Sequence, residues 1–328
     1  MSSPSVESLD TIVALAKRRG FIFLSSEIYG GLSSCYDYGP LGVELKRNVK
    51  DAWWRSMVQL RDEIVGIDAS IIMHPKVWEA SGHINCFHDE LVECSHCKTR
   101  IRTDHMDQLN PKCPKSPDKK HAFGEARQFN LMFKTNLGPV ESTTNTVYLR
   151  PETAQGIFVN FPNVLDSTRV KLPFGIAQQG KSFRNEITTR RFTFRMAEFE
   201  QMEMEYFVTP GEDEKWYEYW RSARLQWFKD LGVSGERLRL RDHEKDELAH
   251  YSKACTDVEY LFPFGWSELE GIASRTDYDL SQHAEHSGKE LVYRDQTSGE
   301  KTVPYVICLL YTSPSPRDAT LSRMPSSA

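Results

Sequence analysis

The chain has 328 residues, 39% of them hydrophobic and 27% charged, with a net charge of −5, which fits one large globular domain or two ordinary ones. No apolar run approaches the roughly 18 residues that a membrane span needs, and the polar, acidic stretch Met1 to Asp10 does not read as a secretory signal. The acidic balance gives no sign of nucleic-acid binding, although a local basic face is compatible with it. Residues 7–19 read as a short helix. Residues 40–60 read as a longer one, with Pro40 suited to its first turn and Leu41, Leu45, Val49, Trp53, Met57 and Leu60 at helical spacing. Residues 80–140 lack apolar periodicity and hold most of the seven cysteines. Residues 142–208 read as strand-rich with one short helix, 213–230 as a helix rich in Trp and Tyr, and 256–280 as strand again. Strand runs mixed with helices, without a regular βαβ rhythm, predict an α+β fold around an antiparallel sheet. From Leu309 onward the chain is rich in Ser, Pro and Arg and is expected to be disordered.

Phe183-Arg184-Asn185-Glu186-Ile187 and Phe194-Arg195 through Glu198-Phe199-Glu200-Gln201-Met202-Glu203-Met204-Glu205 read as two strands joined by a polar turn, Thr188 to Arg191. Alternate side chains on a strand share a face. Arg184 and Glu186 are therefore expected together, as are Gln201, Glu203 and Glu205. A hairpin with fixed Arg and Glu side chains on one face suits a ligand bearing phosphate, carboxylate and amine groups. Periodicity alone equally allows a hairpin with one solvated face.

Two further motifs need weighing. Gly175-Ile176-Ala177-Gln178-Gln179-Gly180-Lys181-Ser182 fits the G-x-x-x-x-G-K-[ST] pattern of a phosphate-binding loop. Such a loop must open a helix at Lys181, and the residues that follow, Phe183–Ile187 and Phe192–Phe199, read as strand instead. Cys94-Ser95-His96-Cys97, with Cys113 further on, has the spacing of a zinc ribbon. Ser116 stands where a fourth cysteine is expected, which leaves His121, His105 or Cys86 to complete a tetrahedron. A ribbon that has lost its metal is the alternative. Cys35, Cys255 and Cys308 read as ordinary thiols. Without a signal peptide, thiols or metal ligands are favoured over disulfides, and the cytoplasm is the expected compartment.

The paired segments around Arg184 and Glu203 resemble motif 2 of class II aminoacyl-tRNA synthetases, and are most similar to glycyl-tRNA synthetases of the homodimeric type. Lys17-Arg18-Arg19-Gly20-Phe21-Ile22-Phe23, Ser25-Ser26-Glu27-Ile28-Tyr29-Gly30-Gly31 and Tyr36-Asp37-Tyr38-Gly39-Pro40-Leu41-Gly42 resemble the same family. So do Arg150-Pro151-Glu152-Thr153-Ala154-Gln155-Gly156 and Glu268-Leu269-Glu270-Gly271-Ile272-Ala273. The resemblance runs to about residue 307, and implies a catalytic core over 1–308 with an insertion at about 80–140. It implies that glycine is activated with ATP and Mg²⁺ to glycyl-adenylate and then passed to the 3′ end of tRNA(Gly). In the resemblance Arg184 and Glu186 are catalytic. Arg184, Asn185, Glu186, Phe194, Arg195, Glu198, Phe199, Glu268 and Leu269 surround ATP, with Phe199 stacked on adenine and Glu268 able to carry Mg²⁺. Arg102, Glu152, Phe199, Gln201 and Glu203 contact glycine.

The resemblance also implies a homodimer through motif 1, a long helix followed by a strand over Ile64 to Met73 that ends at Pro75. Two departures stand out. Ala197 replaces an arginine frequent in relatives, and after Val303-Pro304-Tyr305-Val306-Ile307 the Glu-Pro-Ser stretch of motif 3 is missing, as is an anticodon-binding domain. The residues from 309 to 328 then read as a foreign tail. The second reading that follows is a non-catalytic, synthetase-like fragment that dimerises or binds tRNA.

Overall fold

The computed structural model describes residues 8–103, 106, 109–110, 112–139, 145–186, 192–248 and 252–312. Ser8 caps helix α1 (Leu9–Arg18) by accepting the Asp10 amide hydrogen. A small hairpin, β1 (Ile22–Leu24) and β2 (Tyr36–Tyr38), leads into α2 (Pro40–Trp54), which has Pro40 in its first turn. The helix does not run evenly to residue 60, because Arg55–Gln59 are π-helical. Its apolar stripe divides: Trp53 and Met57 are buried, whereas Leu41, Leu45 and Leu60 are exposed.

The strand expected over Ile64 to Met73 is two short strands in different sheets, β3 (Ile64–Gly66) and β4 (Ile72–Met73). Side chains break the ladder between them. The Ala69 amide donates to Gln178 Oε1, and the Ala69 carbonyl accepts from Arg150 Nη1. With those groups satisfied, no neighbouring strand is required there. After α3 (Pro75–Ala80) and α4 (His83–Cys86) the chain enters the segment of small strands that follows residue 80. These are β5 (His88–Glu93), β6 (Arg100–Arg102), β7 (Lys112–Cys113), β8 (Ser116–Lys120) and β9 (Arg127–Asn130). They form a three-stranded sheet, β6–β5–β9, and a separate β7–β8 hairpin. β10 (Lys134–Asn136) and β11 (Thr146–Leu149) then join β4.

The remainder builds the main sheet and its helices: α5 (Ala154–Thr168), β12 (Phe174–Phe183), β13 (Glu198–Val208), α6 (Asp213–Asp230), β14 (Leu238–Asp242), β15 (Ala254–Phe262), β16 (Gly265–Thr276), α7 (Tyr278–Ser287), β17 (Tyr293–Arg294), β18 (Lys301–Thr302) and β19 (Tyr305–Thr312). α6 spans the residues read as helical from sequence, and α5, at 15 residues, is longer than expected. The sheet order is β14–β15–β16–β19–β13–β12–β3, antiparallel throughout except for β12 beside β3. This is the expected α+β arrangement.

Alternation on β13 sends Met202, Met204, Tyr206 and Val208 to one face, where they pack with Trp53 of α2 and Trp220 and Phe228 of α6. Phe207 points to the other face, against Ile157, Phe158 and Phe161 of α5 and Leu280 of α7. Glu203 and Glu205 share that second face. None of the described helices is long and apolar enough to cross a membrane.

Three further sequence expectations need correction. β12 ends at Phe183 rather than Ile187, and Phe192–Phe194 form a 3₁₀ turn rather than strand. The cause is hydrogen bonding out of the ladder: the Asn185 amide donates to the Leu131 carbonyl (2.7 Å) and the Glu186 amide turns back to the Arg184 carbonyl. Arg184 and Glu186 are thus not neighbours on a strand face; the turn Thr188 to Arg191 lies outside the described residues. Second, β19 continues to Thr312, past the boundary expected at Cys308. Leu309 is buried and the Tyr311 ring stacks on Phe228 in the central sheet, so these residues behave as strand formers. The tail beyond residue 312 lies outside the described residues. Third, all of Gly175–Ser182 lies within β12, with no helix at Lys181, which removes the phosphate-loop reading. Gly180 has a packing role instead: a Cβ there would lie 2.1 Å from Arg150 Nη2.

Candidate active site

The second face of the main sheet carries a buried polar cluster. Glu203 and Glu205 rise from β13, Cys308 faces them from β19, and Glu152 and Thr153 enter at the start of α5. Thr153 Oγ1 donates to Glu203, and its amide donates to Gln201 Oε1 (3.1 Å), which also accepts from Ser182 Oγ (2.7 Å). With both acceptor contacts fixing its orientation, the buried Gln201 Nε2 has no hydrogen-bond partner among the described residues. Glu152 lies 3.3 Å from His83 Nε2 and accepts from Gln155 Nε2 at 3.0 Å. Gln155 also reaches Asp279, which Arg275 holds through two bonds of 2.8 and 2.9 Å, and His283 contacts Gln155 Oε1 at 2.7 Å.

These carboxylates are not equivalent. Burial alone would raise Glu152, but His83 and Arg275 hold it well below the usual carboxylate range. Burial and the charge of Glu152 push Glu203 up to about 8. Burial and Glu203 raise Glu205 well above its ordinary value, and burial with Glu205 raises the Cys308 thiol. A group of like charges out of water ionises in part, and proton occupancy falls on the members with least cationic support. The cluster thus sets an ionised carboxylate at Glu152 beside carboxyls that favour their neutral form.

Beside it lies a cationic wall. The fully buried Arg184 donates from Nε to the Pro151 carbonyl at 3.0 Å, one residue before Glu152. Its guanidinium lies 5.0 Å from the Phe199 ring centroid and 5.6 Å from that of Phe87. Arg195 stands 3.9 Å from Glu186. The Phe194 ring packs edge-on against Phe262 and Phe264 at 4.9 and 4.8 Å. Glu268 on β16 is the cross-strand partner of Glu259 on β15, both largely buried, and Leu269 packs at the margin of the apolar core.

Arg184, Phe199, Gln201, Glu152 and Glu203, all anticipated from sequence, are linked by the contacts above. Others stand apart. Arg102 pairs with Asp89 (3.6 Å) in the β5–β6 hairpin, and Glu198 pairs with Lys181 where both are about half exposed. Sequence reasoning missed His83, Thr153, Gln155, Arg275, Asp279 and the site role of Cys308. Of these, Thr153 and Gln155 lie inside the Arg150–Gly156 string and were within reach. In the insertion, Cys94, Cys97, Cys113 and His121 place their ligand atoms within 4.8 Å of one another. His121 is therefore the fourth member; His105 lies outside the described residues, and Cys86 is not in the group.

Residues 133–308 match the tRNA synthetase class II core domain (G, H, P, S and T). Among curated proteins, the chain is 54% identical to the glycine–tRNA ligase of Treponema denticola over 301 residues, covering 92% of this chain and 67% of that one. It is also 54% identical to the glycine–tRNA ligase of Geobacillus thermodenitrificans, covering 92% and 70%. The fold is similar to that of prolyl-tRNA synthetase from Cryptosporidium parvum (TM-score 0.63, 12% identity, 94% of this chain and 50% of that one). It is similar as well to Giardia lamblia prolyl-tRNA synthetase in complex with prolyl-adenylate (TM-score 0.62, 13% identity, 97% and 54%). The chain belongs to the class II tRNA synthetase core family and, within it, to the glycine–tRNA ligases.

Proposed function

We propose that the buried cluster on β13 and α5 binds glycine, and that Arg184 and its neighbours bring the glycine carboxylate to the α-phosphate of ATP. The observation that carries this is the pairing of unlike carboxylates, Glu152 and Glu203, beside a buried guanidinium. An amino acid needs that polarity: anions for the ammonium, a cation for the carboxylate. The Gln201 amide donor is available to a substrate oxygen. A site this closely packed selects by exclusion, since an accepted extra methylene is worth only ~1–3 kcal/mol.

In the reaction, glycine's carboxylate oxygen bonds to the α-phosphorus and pyrophosphate leaves; a ribose hydroxyl of the terminal adenosine of tRNA(Gly) then attacks the glycyl carbonyl, forming the ester and releasing AMP and a proton. Arg184 is positioned to stabilise negative charge as it develops, by preorganised electrostatics rather than covalent chemistry. A planar guanidinium fork matches both carboxylate and phosphate. Phe194, Arg195, Phe199, Asn185 and Glu186 form the surroundings of the nucleotide. Glu268, a buried oxygen donor on β16, would carry a hard divalent cation such as Mg²⁺, which when bound neutralises phosphate charge; its cross-strand partner Glu259 is already engaged by Arg239. Zinc, expected on Cys94, Cys97 and Cys113, belongs to the insertion and takes no part in this chemistry. The exposed Leu41 and Leu45 on α2 support a homodimer through that helix, to be checked by light scattering, and the cytoplasm remains the compartment of this reading.

Glycine-dependent ATP–pyrophosphate exchange tests the proposal. Exchange with glycine, absent with alanine and lost in Glu203→Ala, is the expected result. Glycine binding without exchange would favour the non-catalytic reading, and neither binding nor exchange would overturn the assignment of the pocket.

A further inference from the structure

We propose that Cys94, Cys97, Cys113 and His121 bind one structural zinc ion, with His121 as the fourth ligand. This deepens the zinc reading of the insertion and is independent of the glycine assignment. The four ligand atoms come from three places in the chain: the turn after β5, the end of β7, and the residue just past β8. They nevertheless converge within 4.8 Å of one another. Tetrahedral zinc, with Zn–S of about 2.3 Å and Zn–N of about 2.0–2.1 Å, sets ligand–ligand edges of roughly 3.4–3.8 Å, so a small contraction completes the shell.

The imidazole is already aimed. His121 Nδ1 lies 3.5 Å from Cys97 Sγ, and the ring stacks on Phe123 at 5.3 Å and 15°, which fixes its plane. The Cys94 backbone pairs with Phe123, so the two halves of the group are tied by main chain as well. Cys94 and Cys113 are fully buried, yet neither belongs to an apolar core cluster. The small apolar cluster of Trp78, Phe87, Leu131, Met132 and Tyr148 includes nothing between residues 94 and 123. A hairpin as short as β7–β8 has no core of its own, and a metal supplies the cross-links that a core would otherwise provide. A disulfide would use two sulfurs and leave the third sulfur and the oriented imidazole without a role.

On binding, each thiol releases its proton and the imidazole binds as the neutral base. The test is zinc content of the chain by elemental mass spectrometry, after purification without added metal. About one zinc per chain is expected. Cys97→Ala and His121→Ala should lower occupancy at least tenfold, whereas His121→Cys, a Cys₄ shell, and Cys35→Ala should retain it. If the Ala variants do not fold, Co²⁺ added to metal-stripped wild-type chain should give the visible bands of tetrahedral thiolate-bound cobalt. Absence of zinc and of those bands with seven titratable thiols would overturn the proposal. Five titratable thiols after denaturation would do so too, by indicating a disulfide.

Discussion

The main sheet and the insertion solve the same problem with different materials. In the main sheet, two apolar clusters cover both faces, and polar groups such as Glu203 and Arg184 are buried because that surrounding core can hold them. In the insertion, strands of two to six residues carry few apolar side chains, and order must come from hydrogen bonds and from the Cys/His group. Burial makes charge strong and chemically useful in the first region; cross-linking substitutes for burial in the second.

The contrast can be broken most directly in the core. Phe207→Ala removes a ring packed between Phe161 and Phe174 and should cost about 3–5 kcal/mol, read as a shift in urea midpoint. Ile101→Val in the insertion removes one methylene and should cost about 0.5–1.5 kcal/mol, read in the same way. Next is Arg184→Ala, expected to slow glycine-dependent exchange by about 10²–10³-fold, or roughly 2.7–4 kcal/mol. Lys at this position should recover little, because a point charge lacks the fork.

The third is a pH effect. With Glu203 raised to about 8, the folded chain keeps a proton that the unfolded chain has already released above the ordinary carboxylate value of 4.5. Its contribution to stability therefore falls as pH rises through that window, by at most about 1.4 kcal/mol per unit. Denaturation midpoints at pH 6 and 8 should converge in Glu203→Gln, which cannot ionise. The smallest effect belongs to Lys181→Ala. Its exposed pair with Glu198 is worth about 0–1 kcal/mol, and ATP affinity should stay unchanged; a large loss of ATP binding would revive the phosphate-loop reading.

What could be read from the sequence follows the range of the forces involved. α6 was legible over its full length because its pattern is local, and Glu203 and Gln201 were legible because strand alternation and the family strings agree. The π-helical end of α2 and the early end of β12 were not legible. The second depends on the Leu131 carbonyl, far away in sequence, accepting the Asn185 amide hydrogen. His83, Arg275 and Asp279 were missed because each lies in a different element and meets Glu152 or Gln155 only through the fold. The fourth member of the cysteine group had three sequence candidates, and only spatial convergence selects His121.

One detail of the insertion reaches beyond its own stability. Its two ends are stitched together, with the Leu131 amide donating to the Phe87 carbonyl at 3.1 Å, and these same two residues touch the Arg184–Asn185 segment. The chain between them leaves and returns at neighbouring points. Doubling the length of such an excursion costs only about 0.6 kcal/mol of closure entropy. Lengthening that excursion is therefore cheap in entropy, while Phe87 and Leu131 keep the Arg184–Asn185 segment in register.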